Sequence, residues 1–240
     1  MRSPRLEICR RIRQICDDAE LETVFQPLIE LASRRCVAYE ALTRFPADSP
    51  WTTSEWFAAA RDAGVSHVLE LEAIAAALRH VDEIPQESAL AINVSPTVAV
   101  TAQFFELVAP VADRLIIELT EHEPVDDYAA LVSSLAGLRS LGARIAVDDA
   151  GAGFASMRHI LRLAPDIVKL DLSLTQGIEE DPRLHALTSA LVEFAGKTDV
   201  LVSAEGIETA AELNALRKLG IAHGQGYLLG MPGPLGAHLN

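Results

Sequence analysis

The order of apolar runs in this chain predicts an α/β fold: a TIM-type (βα)8 barrel, modified at its start by an antiparallel first strand. Three observations carry that reading. Eight strand-like runs succeed one another, most of them separated by helical patterns; the first two are joined by a short polar turn; and seven end on a polar residue: Glu40, Asn93, Glu118, Asp148 with Asp149, Lys169, Glu205 and Gln225. A barrel of parallel strands gathers its carboxyl ends at one face, so side chains far apart in sequence converge there on one site.

Taken in order, residues 4–19 carry Leu6, Ile8, Ile12 and Ile15 at helical spacing and predict a helix ahead of the first strand. Residues 1–20 read as an N-terminal helix or linker remnant, and 21–240 as the main domain. The runs 23–31 and 36–45 flank the polar turn 32–35, so a hairpin opens the barrel. Thr52, Thr53 and Ser54 offer caps for a helix reaching Ala63, and a longer helix follows over 67–81. Further strands are predicted at 89–94, 115–119, 144–148, 167–170, 200–204 and 223–227, with helices over 126–141, 183–196 and 209–219.

Composition narrows the class. The 240 residues fit one large domain, and with 50% hydrophobic residues they supply a sizeable core. No apolar run approaches the roughly 18 residues that a membrane span needs, and the opening MRSPRLEICRRIRQIC lacks the apolar segment of a secretory signal, so a cytoplasmic location is expected. Cys9, Cys16 and Cys36 form no CxxC pair, which argues against a disulfide framework or a thiolate zinc site. A formal net charge of −14 opposes sequence-independent binding to DNA or RNA. The basic exception is Arg2, Arg5, Arg10, Arg11 and Arg13, either a solvated helix face or a contact to a partner. The histidines form no metal-like cluster.

Carboxylates converging around one lysine repel one another unless cations sit among them. The strand ends therefore point to a metal-dependent enzyme acting on an anionic substrate. Asp148 and Asp149 are adjacent and would face opposite ways on a regular strand. Both reach one site only if the chain turns there, which Gly151 and Gly153 permit. Lys169, flanked by Ile167, Val168 and Leu170, calls for a carboxylate partner.

The strings FQPLIE, YEALTRF, INVS, IIELTE, IAVDDAGAG, DIVKLD, SAEGIET and GQGYLLG stand in order between Glu22 and Pro234. In that order they resemble the signature segments of the EAL family of cyclic di-GMP phosphodiesterases. The resemblance implies hydrolysis of cyclic di-GMP to linear 5′-pGpG with two Mg²⁺ or Mn²⁺ ions, for which oxygen ligands are suited. It implies Glu40, Asn93, Glu118, Asp148, Asp149 and Glu205 as metal ligands and Lys169 as a contact to the catalytic water and the substrate phosphate. Glu205 is a general base or a second-metal ligand, and with Glu40 and Lys169 makes up the catalytic set. Gln26, Leu42, Arg44 and Gln225 match substrate positions, with a surface ion pair as the alternative for Arg44. Glu121 and Asp171 match supporting positions, and Glu208 is either a supporting residue or a helix cap. A homodimer and an upstream sensory domain or protein partner are expected from the family alone.

The chain departs from the common family string DDFGTG, reading DDAGAG with Ala150 and Ala152. That removes an apolar anchor from a loop which, in relatives, links the active site to the dimer interface, so that the loop is expected either to be more mobile or to rely on Phe154 instead. Met231 stands where many relatives carry a basic residue. The alternative readings are a catalytically silent cyclic di-GMP receptor acting through a protein partner and a pure interaction module. Both would be expected to lose metal-binding residues, and this chain retains them.

Overall fold

The computed structural model describes residues 4–120, 125, 127–150 and 154–239, the side chains of 4, 5 and 154–156 excepted. Arg2, Glu121, His122, Gly151, Ala152 and Gly153, and the side chains of Arg5 and Phe154, all singled out above, lie outside the described residues. Eight strands close into a barrel in sequence order: β1 (Glu22–Glu30), β2 (Cys36–Arg44), β3 (Ala89–Val94), β4 (Leu115–Leu119), β5 (Arg144–Ala150), β6 (Ile167–Leu170), β7 (Leu201–Ala204) and β8 (His223–Gly224). β1 runs antiparallel to both neighbours, β2 and β8, and every other pair is parallel. The helices are α1 (Pro4–Asp17), α2 (Thr53–Ala63), α3 (Ser66–Leu78), α4 (Pro96–Ala99), α5 (Ala102–Val108), α6 (Tyr128–Ser140), α7 (Phe154–Leu163), α8 (Leu172–Thr175), α9 (Pro182–Lys197) and α10 (Ala210–Leu219).

Alternation along the strands separates two cores. Outward residues such as Leu90, Ile92, Ile117, Ile145, Val147, Val168 and Val202 pack under the helices in the main core. Inward residues Leu28, Ala38, Ala89, Ala91, Ile116, Ala146 and Ile167 form a separate cluster in the lumen. A third cluster joins α1 to the barrel: Ile12 and Ile15 are fully buried against Trp56, Ala60 and Leu69 of α2 and α3.

The helix starts follow local chemistry. Thr52 caps α2 and Thr209 caps α10, each in a reciprocal capping box with the glutamate three residues on. Asp127 caps α6 and Asp181 caps α9. The last strand stops at Gly224, short of the expected 223–227, because Gly226 at φ +155° turns the chain against Ile207. The chain then crosses back to β1, where Phe25 and Gly233 exchange backbone hydrogen bonds of 2.7 and 3.0 Å. Among the described residues, no helix is long and apolar enough to cross a membrane.

Candidate active site

The carboxyl ends of the parallel strands bring the acidic residues around one lysine. Strand register explains how: β2, β4, β6 and β8 lead to Glu40, Glu118, Lys169 and Gln225, while β3, β5 and β7 lead to Asn93, Asp148 and Glu205. Interior residues of such barrels stack in layers drawn from alternate strands. Lys169 Nζ, 2% exposed, lies 2.6 Å from Glu118 Oε2, 2.7 Å from Glu205 Oε1, 3.3 Å from Asp148 Oδ1 and 3.6 Å from Glu40 Oε2. Glu40 is held from two further sides, accepting from Asn93 Nδ2 at 2.9 Å and from Gln225 Nε2 at 2.7 Å.

Among the described residues, the two aspartates reach this site through an irregularity in the strand itself. Val147 pairs with Val168 and Ala150 with Leu170, so Asp148 and Asp149 together stand opposite Lys169 alone. This is a β-bulge, which re-aims side chains at the end of a strand. Asp149 carries the strain at φ +53°, a left-handed conformation that Asp tolerates better than most residues. One carboxylate oxygen each of Asp148, Asp149 and Glu205 lie within 4.8 Å of one another.

Electrostatically the site is overcharged. Burial, with the nearby Glu40 and Asp148, pushes the Glu118 carboxyl well above its usual range, although Lys169 opposes the shift. Burial pushes Glu205 up to about 8, again with Asp148 and Glu40 adding to it and Lys169 opposing. Burial alone would lower the Lys169 ammonium; Asp148, Glu118, Glu205 and Glu40 outweigh it and hold the charge firmly. Ionised Glu40, Glu118, Asp148, Asp149 and Glu205 are five negative charges against the single positive charge of Lys169. With all five ionised the ring carries a residual −4, a charge that divalent cations would offset. Asp148 Oδ1 is also buried without a hydrogen bond. An all-oxygen donor set, with a carboxylate oxygen that Lys169 pairs only by charge at 3.3 Å, fits Mg²⁺ or Mn²⁺.

Beside this cluster opens a cleft of about 300 Å³, walled by β2, β3, α2 and α3. Leu42 and Arg44, the candidate substrate positions, line it, and so do Arg61, Glu70 and Phe57, which the sequence reading did not single out. Arg44 Nη1 donates to the Thr43 carbonyl, not to a surface carboxylate, at 3.0 Å. Glu70 Oε2 accepts from Ser95 N at 2.9 Å, an arrangement that no strand-end pattern signals. Gln26 and Gln225 stand elsewhere. Both are buried in one chain in which Gln225 Nε2 also donates to Gln26 Oε1 at 2.9 Å and Gln26 Nε2 donates to the Gly230 carbonyl at 2.9 Å. Their amides hold Glu40 to the returning C-terminal segment.

Of the supporting candidates, Asp171 caps α8 by accepting from Ser173 N at 3.0 Å. Glu208 is exposed; the caps of α10 are the Thr209 and Glu212 side chains, with Glu212 Oε2 accepting from the backbone of both Glu208 and Thr209 at 2.9 Å. Ala150 is fully buried in the core outside the barrel wall, so an aromatic ring at that position would face the helix layer and not the acidic cluster.

Comparison with known proteins fits this geometry. Residues 10–232 match the family described as the EAL domain. The cyclic di-GMP phosphodiesterase PA2567 of Pseudomonas aeruginosa is 31% identical over 223 residues, covering 87% of this chain and 38% of its own length. The blue light- and temperature-regulated antirepressor BluF of Escherichia coli is 28% identical over 214 residues, covering 85% of this chain and 52% of its own. The manganese and cyclic di-GMP complex of BlrP1 from Klebsiella pneumoniae superposes with a TM-score of 0.79 at 28% identity, covering 89% of this chain and 56% of that one. The chain thus spans between about a third and a half of the length of these curated relatives.

Proposed function

The chain belongs to the EAL domain family, and on that footing we propose that it hydrolyses one phosphodiester bond of cyclic di-GMP to give linear 5′-pGpG. The observation that carries the reading is the ring of Glu40, Glu118, Asp148 and Glu205 about Lys169, opening beside a cleft that Arg44 lines. Glu40, Asn93, Glu118, Asp148, Asp149 and Glu205 are the residues that would hold two divalent ions. When bound, the ions supply Lewis acidity and neutralise charge on the phosphodiester. Lys169, fixed by four carboxylates, presents a proton donor and positive charge to a phosphate oxygen. Glu205, the most exposed of those four at 23%, is placed to accept a proton from the attacking water. Arg44 offers a planar pair of donors to a phosphate, and the apolar wall of the cleft excludes water from a bound base.

The same reading includes a cytoplasmic location, a homodimer, and a division at residue 20 between a leading helix and the catalytic domain. Because the matched relatives are longer, it also includes an upstream sensory domain or protein partner. The similarity to an antirepressor motivates a second reading, a cyclic di-GMP receptor acting on a protein partner. One experiment separates them: the purified chain is incubated with cyclic di-GMP and Mg²⁺, Mn²⁺ or chelator, beside Glu40→Ala. Metal-dependent 5′-pGpG from the native chain alone is the expected result. Saturable binding without product would replace the enzyme by the receptor, and full activity of Glu40→Ala would sink the assignment of Glu40.

A further inference from the structure

Below the acidic ring the lumen changes character. Ala38, Ala89, Ala91 and Ala146 face inward there, where bulky branched side chains ordinarily fill such a barrel. Ser203 and His223 stand in register on β7 and β8, side by side on the inner face that also leads to Glu205 and Gln225. They are 0% and 7% exposed, and neither Ser203 Oγ nor His223 Nδ1 has a hydrogen-bond partner. A buried polar atom left unpaired forfeits its hydration with nothing in return, so two such atoms side by side point to something held between them.

Arg144 enters the lumen two residues before Ala146 on the same face of β5. Its guanidinium makes no hydrogen bond or ion pair among the described residues, and burial lowers its pKa against the nearby charge of Asp166. Arg144 also acts on His223, whose pKa burial and that guanidinium both depress. The acids within reach are otherwise engaged. Asp166 accepts from Arg139 Nε at 3.2 Å and from Ile145 N at 2.7 Å. Glu30, whose charge acts on His223 in the opposite sense, is bound by Ser33 and Arg35 at the solvent edge.

We propose that the lumen directly below the acidic ring holds a small inorganic anion of halide size between Ser203 and His223, with Arg144 supplying positive charge from the floor of the barrel. A hydroxyl and an imidazole stand side by side there with no hydrogen-bond partner, and the charge of Arg144 acts on the imidazole, which suits a bare acceptor carrying negative charge. The lumen of an eight-stranded barrel is only wide enough for side chains, so the ligand is limited to a monatomic or similarly small ion.

Bromide is the probe. Crystals of the native protein soaked in sodium bromide are expected to show an anomalous peak within hydrogen-bond distance of Ser203 Oγ and His223 Nδ1. Melting temperature at constant ionic strength should be higher in bromide than in gluconate, and Arg144→Leu should lose that difference. Should Arg144→Leu fail to fold, Ser203→Ala serves in its place, with the bromide increment expected to shrink. Density for an ordered water alone, bromide only at surface positions, or an undiminished increment in the variants would each overturn the proposal.

Discussion

Replacing Lys169 by methionine removes the one cation that the described residues place in the acidic ring while nearly conserving volume, so the expected loss is electrostatic and not a cavity effect. Lys169 Nζ and Glu118 Oε2 stand 2.6 Å apart with both side chains at most 3% exposed. Removing one partner of a buried pair costs about 3–5 kcal/mol because the other is left uncompensated. At about 2–4 °C per kcal/mol for a chain of this length, Lys169→Met should lower the melting temperature by about 6–20 °C in chelator. The discriminating measurement is a double-mutant cycle by urea and thermal unfolding. Glu118→Gln in the same chain removes the charge that Lys169 most closely neutralises, so the double variant should lose at least about 1 kcal/mol less than the two single losses added together. Mn²⁺ should recover part of the Lys169→Met loss, since divalent charge can stand in for the ammonium. Additivity within about 0.5 kcal/mol would show that the carboxylates do not act on one another through the lysine, and would refute the electrostatic coupling of the ring.

Asp149→Asn keeps a side chain that tolerates φ +53°, so stability in chelator should change by less than about 0.5 kcal/mol while the Mn²⁺-induced rise in melting temperature falls. Asp149→Val should instead lose about 1–2 kcal/mol from the backbone alone. At Gly226 an added Cβ would lie 2.2 Å from both the nitrogen and the oxygen of Ile207; Gly226→Ala should therefore cost at least about 2 kcal/mol and reduce turnover by displacing Gln225 from Glu40. A stable, fully active variant would show that the segment is not fixed there. His223 has its pKa lowered from 6.5 by burial and Arg144, against Glu30. The unfolded chain therefore takes up this proton first, and stability is lost as pH falls below about 6.5. In gluconate buffer His223→Gln should show a shallower loss between pH 7 and pH 5 than the native chain, and parallel curves would exclude His223 as the source.

How much was legible in the sequence follows from what each feature depends on. The barrel was legible because inward and outward faces alternate at the strand period, and because the carboxylates fall at strand ends regardless of tertiary detail. The hairpin of β1 and β2 was legible from the polar turn alone. The bulge at Asp149 was not, because it is a one-residue register event whose only sequence trace is a second aspartate. Gly151 and Gly153, expected to permit a turn there, lie outside the described residues. The link between Gln26 and Gln225 spans 199 residues and needs the chain to return to β1 after Gly226. Family likeness places both glutamines at the substrate; the structure adds that their amides bond to each other, to Glu40 and to the Gly230 carbonyl. The cleft wall offered a fainter signal still: Arg61 and Glu70 sit on helices whose packing faces were legible but whose angle to the strand ends was not.

The lysine resolves a conflict between folding and metal binding. Five carboxylates at one end of a lumen would expand or protonate if left to themselves, because repulsion grows as water is excluded. A single buried ammonium at 2.6 to 3.6 Å from four of them draws the strand ends together before any divalent ion arrives. It cannot satisfy them all, and the charge left over is what divalent ions then compete for. A second lysine would stabilise the metal-free barrel further and weaken that competition, while none would leave the strand ends unheld. The glutamine pair works in the same direction, since amide donors fix Glu40 without adding positive charge. The fold thus orders the acidic ring with the least cationic charge that closes it, and leaves the remaining negative charge for metal.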